Sequence, residues 1–181
     1  MTPCYRPLGV VEIAPAVESD IPILGELARR IWWASFRDII TDDQIRYMLD
    51  QRYAPKVLQQ VFADGIPAYE ILRVDGEPLA YTAYTDTEDP LELKLQQLYV
   101  HPEWQGRGLG GLLMDRVEQV ARERGRSRLV LTVNRNNHRA KAAYEKRGFR
   151  VRATAQFDIG HGFIMDDFVM EKSLSQPPAL P

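Results

Sequence analysis

Cysteine is almost missing from this chain. With Cys4 alone, no disulfide can form within it, and a nucleophilic thiol in the body of the protein is excluded. Histidine is scarce as well: His101, His138 and His161 are scattered and form no metal-ligand pattern, so no metal is expected. No apolar run is long enough to span a bilayer, and the N-terminus has no signal-peptide core. The expected location is therefore cytoplasmic, with no membrane partner. A net charge of −2 gives no global electrostatic pull toward nucleic acid. Internal repeats are absent.

What is present is an ordinary globular composition, 45% hydrophobic and 27% charged, in 181 residues, enough for one domain with a substantial core. The expected domain covers residues 1–174, and Ser175 to Pro181 read as a frayed, flexible tail. Val10 to Ile13 reads as a first strand. Ser19 or Asp20 is placed to cap a helix with Pro22 in its first turn and a stripe of Ile21, Leu24, Leu27, Ala28 and Ile31. Thr41 and Gln44 form a capping-box pair for a second helix, and Pro55 can open a third. Trp32, Trp33, Phe36 and Tyr47 read as core, with one or two of them over a substrate site. Ala68–Val74 and Leu79–Thr85 are strands joined by the hairpin signal Asp75-Gly76.

The next strand carries an irregularity. Leu91, Leu93 and Leu95 alternate on one phase, whereas Leu98 and Val100 fall on the other. A regular strand cannot change phase, so a β-bulge is predicted near Gln96-Gln97, splaying this strand from the next and opening a cleft. After a short loop comes Gln105-Gly106-Arg107-Gly108-Leu109-Gly110-Gly111, which opens into a helix with apolar Leu109, Leu112, Leu113, Val117, Val120 and Ala121. Glycines allow close approach of an anion, and the helix start offers unpaired, partly positive N–H groups. Together they make a phosphate cradle. Leu129 to Val133 is a buried strand, parallel to the one before the helix by the right-handed crossover rule. A helix from about His138 to Arg147 and two strands, Phe149–Asp158 and Phe163–Glu171, complete the chain. The predicted fold class is α/β, with a mixed, mostly antiparallel central sheet, one parallel βαβ crossover and a splayed cleft. Exposed strand edges are compatible with a homodimer.

Gly106-x-Gly108-x-x-Gly111 also fits a dinucleotide fingerprint. That motif wants its first glycine directly after the strand and a carboxylate at the end of the next strand. Here a loop intervenes, and the next strand ends Thr132-Val133-Asn134.

Gln105-x-x-Gly108-x-Gly110, the lead-in Leu98-Tyr99-Val100-His101-Pro102, and Asn134-x-x-Asn137-x-x-Ala140-x-x-x-Tyr144-x-x-x-Gly148-Phe149 together resemble the GNAT superfamily of acyl-CoA-dependent N-acetyltransferases. Tyr47-Met48-Leu49-Asp50 and Met165 to Met170 are similar to the subgroup that includes polyamine acetyltransferases. The resemblance implies acetyl-CoA as co-substrate and transfer of its acetyl group to a primary amine of a small, polyamine-like molecule or a peptide. It implies a cofactor site at Leu98, Tyr99, Val100, Gln105, Gly106, Arg107, Gly108, Leu109, Gly110, Gly111, Asn137 and Tyr144, with Tyr144 and Glu92 catalytic.

Each of these side chains also has an ordinary structural use. Arg107 faces phosphate or stands solvated. The backbone of Leu98 and Val100 pairs with the pantetheine arm and polarises the acetyl carbonyl, while their side chains pack. Asn137 bonds the cofactor arm or caps its helix. Tyr144 protonates the departing thiolate, hydrogen-bonds it, or is a buried aromatic. Glu92, or water relayed through carbonyls, takes the amine's proton. Asp86, Glu88, Asp89, Asp166 and Asp167 line an acidic pocket for a cationic amine or form solvated surface. No covalent enzyme intermediate is expected. The other functions compatible with these residues are a non-catalytic acyl-CoA sensor on the same fold and a nucleotide-dependent redox enzyme.

Overall fold

The computed structural model describes residues 9–174. Cys4 and the predicted tail lie outside the described residues. The elements are β1 (Val11–Pro15), α1 (Ile21–Phe36), α2 (Asp42–Tyr53), α3 (Pro55–Asp64), β2 (Ala68–Val74), β3 (Glu77–Asp86), β4 (Glu92–Val100), α4 (Leu109–Glu123), β5 (Arg128–Asn134), α5 (His138–Lys146), β6 (Arg150–Gly160) and β7 (Phe163–Ser173). They build one seven-stranded sheet in the order β1-β2-β3-β4-β5-β7-β6. Every neighbouring pair is antiparallel except β4–β5, which is parallel.

Local chemistry accounts for most of these boundaries. The Thr41 hydroxyl accepts the Gln44 N–H at 3.2 Å and caps α2. The reciprocal half of that capping box is not made, because the Gln44 side chain instead reaches the Met165 sulfur. Asp20 does stand at the start of α1, but its carboxylate does not cap it. It turns back to accept the Val17 N–H at 3.0 Å and the Arg73 guanidinium at 2.6 Å. A long-range ion pair has displaced the local cap. In α4, Leu112 is 39% exposed and stands off the apolar stripe that buries Leu109, Leu113 and Val117. Leu91 likewise stays exposed, just ahead of β4.

Helices cover both faces of the sheet. The α1–α3 group packs on the side of Tyr69, Ile71, Tyr81 and Ala83. Helix α4 packs on the other side, against Leu72, Leu79, Leu93 and Leu95. Beneath α4, the buried Glu70 carboxylate accepts three hydrogen bonds from Arg116, through its Nε and one terminal nitrogen, and one from the Tyr84 hydroxyl.

The bulge in β4 is where the alternation of leucines places it. Gln97 lies opposite Ala83 and Leu95 opposite Tyr84, so Gln96 is the extra residue. One inserted residue restores Leu98 and Val100 to the α4 face already occupied by Leu93 and Leu95, and turns Tyr99 to the α1 face. The same insertion ends the parallel ladder. Pairing with β5 runs from Glu92 to Leu95 and stops there.

Candidate active site

The parting of β4 and β5 creates a cavity of about 630 Å³. Its walls are Leu95 to Val100 on one side and Leu131 to Asn134 on the other. One end reaches the glycine loop and the start of α4; the opposite end lies among Trp32, Phe36, Met48, Arg52, Met165 and Asp167.

The backbone of the β4 wall can be assigned from its neighbours. His101 donates its N–H to Leu79 on the β3 side, and the Gln97 carbonyl accepts the Thr82 hydroxyl from β3. Alternation along the strand then aims the peptide groups of Leu98 and Val100 into the cleft. The Val100 carbonyl is taken by the Gln105 side-chain amide at 3.0 Å, which braces the loop against the strand.

At the start of α4 the first intrahelical bond runs from Leu112 N–H to the Gly108 carbonyl. The amides before it point out of the helix end, the arrangement that suits a phosphate. Gly108 holds φ +90°, which a residue with a Cβ adopts only under strain. A Cβ on Gly111 would stand 2.5 Å from the Arg147 guanidinium, so glycine lets this cation lie across the helix start. Arg147 lines the cavity and pairs with Asp115. Loop amides and Arg147 together fit a diphosphate, and the open β4 edge fits an extended amide-bearing arm.

Of the predicted cofactor residues, Leu98, Tyr99, Val100, Gln105 and Gly106 line this cavity, as do Gly108, Leu109, Gly110, Gly111, Asn137 and Tyr144. Arg107 does not. It is exposed, with its guanidinium 4.6 Å from the centre of the Trp104 ring, so stacking holds it outside the cradle. The Asn137 side chain accepts the Ala140 N–H at 3.1 Å and caps α5.

Tyr144 packs against Phe149 and faces Tyr99 across the cleft. Burial pushes the Tyr144 phenol well above its ordinary value, with Tyr99 adding to the shift, and burial pushes Tyr99 up to about 12. Both phenols are neutral donors at pH 7.

Glu92 is not with them. It lies at the paired end of β4, away from the cavity walls, buried at 7% exposure and held by Arg152 at 2.8 Å and Arg128 at 3.5 Å. A carboxylate paired with two guanidiniums outside the cleft is not positioned to take a proton from a substrate there.

The acidic residues divide in the same way. Asp86 pairs with Arg124 and Arg126, Asp89 with Arg128, and Asp166 with Arg135. Of the five, only Asp167 lines the cavity. It is 5% exposed, and its Oδ1 has no hydrogen-bond partner. Burial raises its pKa. Trp32 and Phe36 close the same end, whereas Trp33 stacks under Arg46 and the Tyr47 hydroxyl donates to the Ile159 carbonyl. Arg147, Arg52 and the singling-out of Asp167 are what sequence reasoning missed. Only contacts between residues far apart in the chain identify them, and these are not visible in a local motif.

Comparison with known proteins places this geometry. Residues 27–149 match the sequence model of the acetyltransferase (GNAT) family. An uncharacterized N-acetyltransferase of Mycobacterium tuberculosis is 27% identical over 156 residues, covering 86% of this chain and 99% of that protein. A spermidine N(1)-acetyltransferase of Thermoplasma acidophilum is 24% identical over 166 residues, covering 90% and 96% of the two chains. The crystal structure of the PaiA N-acetyltransferase from Thermoplasma acidophilum in complex with coenzyme A superposes with a TM-score of 0.77 at 22% identity, covering 91% of this chain and 99% of that one.

Proposed function

The chain belongs to the acetyltransferase (GNAT) family and is an N-acetyltransferase, and from that premise we propose that it moves the acetyl group of acetyl-CoA directly onto a primary amine of a small molecule or peptide. The observation that carries this reading is the parting of β4 and β5 beyond Leu95, which leaves the Leu98 and Val100 peptide groups facing a cavity that ends at the amides of α4. Acetyl-CoA supplies an activated acetyl carbonyl, which the amine attacks as the C–S bond breaks.

The residues divide the remaining tasks. The amides of Gly106 to Gly110, with Arg147, hold the diphosphate. The backbone of Leu98 and the N–H of Val100 pair with the pantetheine arm, and a β4 N–H polarises the acetyl carbonyl as charge builds on its oxygen. Holding both partners in one cleft supplies proximity. Tyr144 meets the departing sulfur. An ordinary phenol titrates near ~10 and a thiol near ~8.5, and burial moves Tyr144 further up, so the phenol keeps its proton and stabilises the thiolate as a hydrogen-bond donor. A proton must also leave the amine, and Glu92 is not placed to take it.

The Thermoplasma acidophilum relative named a spermidine N(1)-acetyltransferase puts polyamines among the amines to be tested. The test is thiol release from acetyl-CoA over a panel of amines, with acetylated product identified by mass and initial rates measured against both substrates. Direct transfer predicts intersecting rate lines and no acetylated protein. Accumulation of acetyl-protein would contradict it, and coenzyme A binding with no thiol release for any amine would oppose the transfer itself.

A further inference from the structure

We propose that the acceptor end of the cavity is a site for an amphoteric amine, with Asp167 receiving the ammonium and Arg52 the carboxylate, so that the acceptor is an amino acid or a similar small amino-carboxylic acid. The proposal rests on the transferase reading above and names its substrate class.

Two opposite charges line this end of the cavity without neutralising each other. Asp167, on β7, is almost fully buried and leaves Oδ1 unpartnered. Arg52, on the last turn of α2, lines the same cavity with its guanidinium 5.8 Å from the centre of the Trp32 ring. Among the described residues, neither Arg52 nor Asp167 forms an ion pair. Arg52 acts on Asp167 only through space: it lowers the cost of charge there, a cost that burial dominates. An unpaired buried carboxylate oxygen is expensive unless a cation or donor arrives to satisfy it. A guanidinium fork is suited to a carboxylate, which it can bind through two parallel hydrogen bonds.

A polyamine fits this arrangement poorly. Its second ammonium would need another carboxylate in the cavity, yet none of Asp86, Glu88, Asp89, Asp166 and Glu92 lines it. Beside Asp167 it would meet the positive charge of Arg52, and like charge in a confined site discriminates strongly against a ligand.

The same placement gives the amine's proton a destination. Asp167 takes one proton from the ammonium and leaves a neutral nitrogen. That nitrogen forms the C–N bond as the C–S bond breaks. The nitrogen's next proton goes to the departing sulfur, giving one amide and one thiol, and Asp167 returns its proton to solvent.

The test compares amines of matched length that end in a carboxylate, a methyl group or a second amine, together with the twenty amino acids, by kcat/KM for thiol release. The wild-type protein should prefer a carboxylate-bearing amine. In Arg52→Gln the ratio of kcat/KM for that acid to kcat/KM for its methyl-ended analogue should fall at least ~10-fold, the weight of one lost charged hydrogen bond. Arg52→Lys should restore part of it, and Arg52→Glu should turn preference toward diamines. Calorimetry with coenzyme A, run on every variant, reports folding and cofactor binding independently. Preference for diamines or neutral amines, a ratio unmoved in Arg52→Gln, or no turnover of any amine in the panel would overturn the proposal. Loss of coenzyme A binding by the wild-type protein would instead strike the cofactor reading beneath it.

Discussion

Leu95 stands opposite Leu131 as the last in-register pair of the parallel ladder between β4 and β5. One residue later comes Gln96, without a partner on β3. The two facts have one cause. The extra residue bends and twists β4 at the point where its hydrogen bonds to β5 stop. The backbone groups freed by that bend, the N–H and carbonyl of Leu98 and the N–H of Val100, are the ones that a substrate arm can use.

Tyr144 lines this opening with its phenol held neutral. Tyr144→Phe should lower kcat by about 10²-fold, the lower end of what one preorganised hydrogen-bond donor to developing charge contributes. Coenzyme A affinity, measured by calorimetry, should stay within about twofold, because the diphosphate grip lies elsewhere. An unchanged kcat would remove Tyr144 from the chemistry.

Glu92→Gln separates structure from catalysis. The carboxylate serves Arg152 and Arg128, outside the cavity. Its loss should cost about 1–2 kcal/mol of stability by thermal melting. A general base contributes at least ~10²-fold to turnover, and no such drop should appear.

Glu70→Ala should be more damaging to the fold. Glu70 is 2% exposed and receives both Arg116 and the Tyr84 hydroxyl under α4. Removing it strands a partly buried guanidinium and a buried hydroxyl, a loss of about 3 kcal/mol. Chemical denaturation measures it, and a midpoint equal to that of the wild-type protein would contradict the assignment.

Asp167 should show the opposite sign. Burial raises its pKa above the ordinary carboxylate value, and Asp166 adds to the rise; Arg52 on α2, Lys94 on β4 and Thr132 on β5 oppose it. The native state therefore binds the proton more tightly than the unfolded chain does. The stability it contributes is present below the ordinary carboxylate range and falls as pH climbs through the raised value. Asp167→Asn should melt higher than the wild-type protein at pH 7, by about 2–4 °C for each kcal/mol regained. The gap should close near pH 3.5. A variant less stable at pH 7 would contradict this.

Much of the fold was legible because its signals are local. Thr41 caps three residues ahead, Asp75-Gly76 turns a hairpin, and the phase change between Leu95 and Leu98 announces a bulge before any partner strand is known. The failures share a different origin. Asp20 is drawn away from its helix by Arg73, and Glu92 is claimed by Arg152, sixty positions along the chain on an edge strand. Arg107 looks like a phosphate ligand until Trp104 offers its ring. Among five similar carboxylates, Asp167 is distinguished only by where β7 lies relative to β5. Backbone geometry follows from short-range pattern, whereas the charge state and reach of a side chain depend on partners that folding brings from afar.

The account stands on the cradle at the start of α4 and the open edge of β4, and a crystal structure with coenzyme A tests both at once. The diphosphate is expected within hydrogen-bonding distance of the amides from Gly106 to Gly110, with the arm paired to Leu98 and Val100 and the sulfur beside Tyr144. Coenzyme A bound away from the Gly108 turn, or an arm that leaves the β4 edge unpaired, would contradict it.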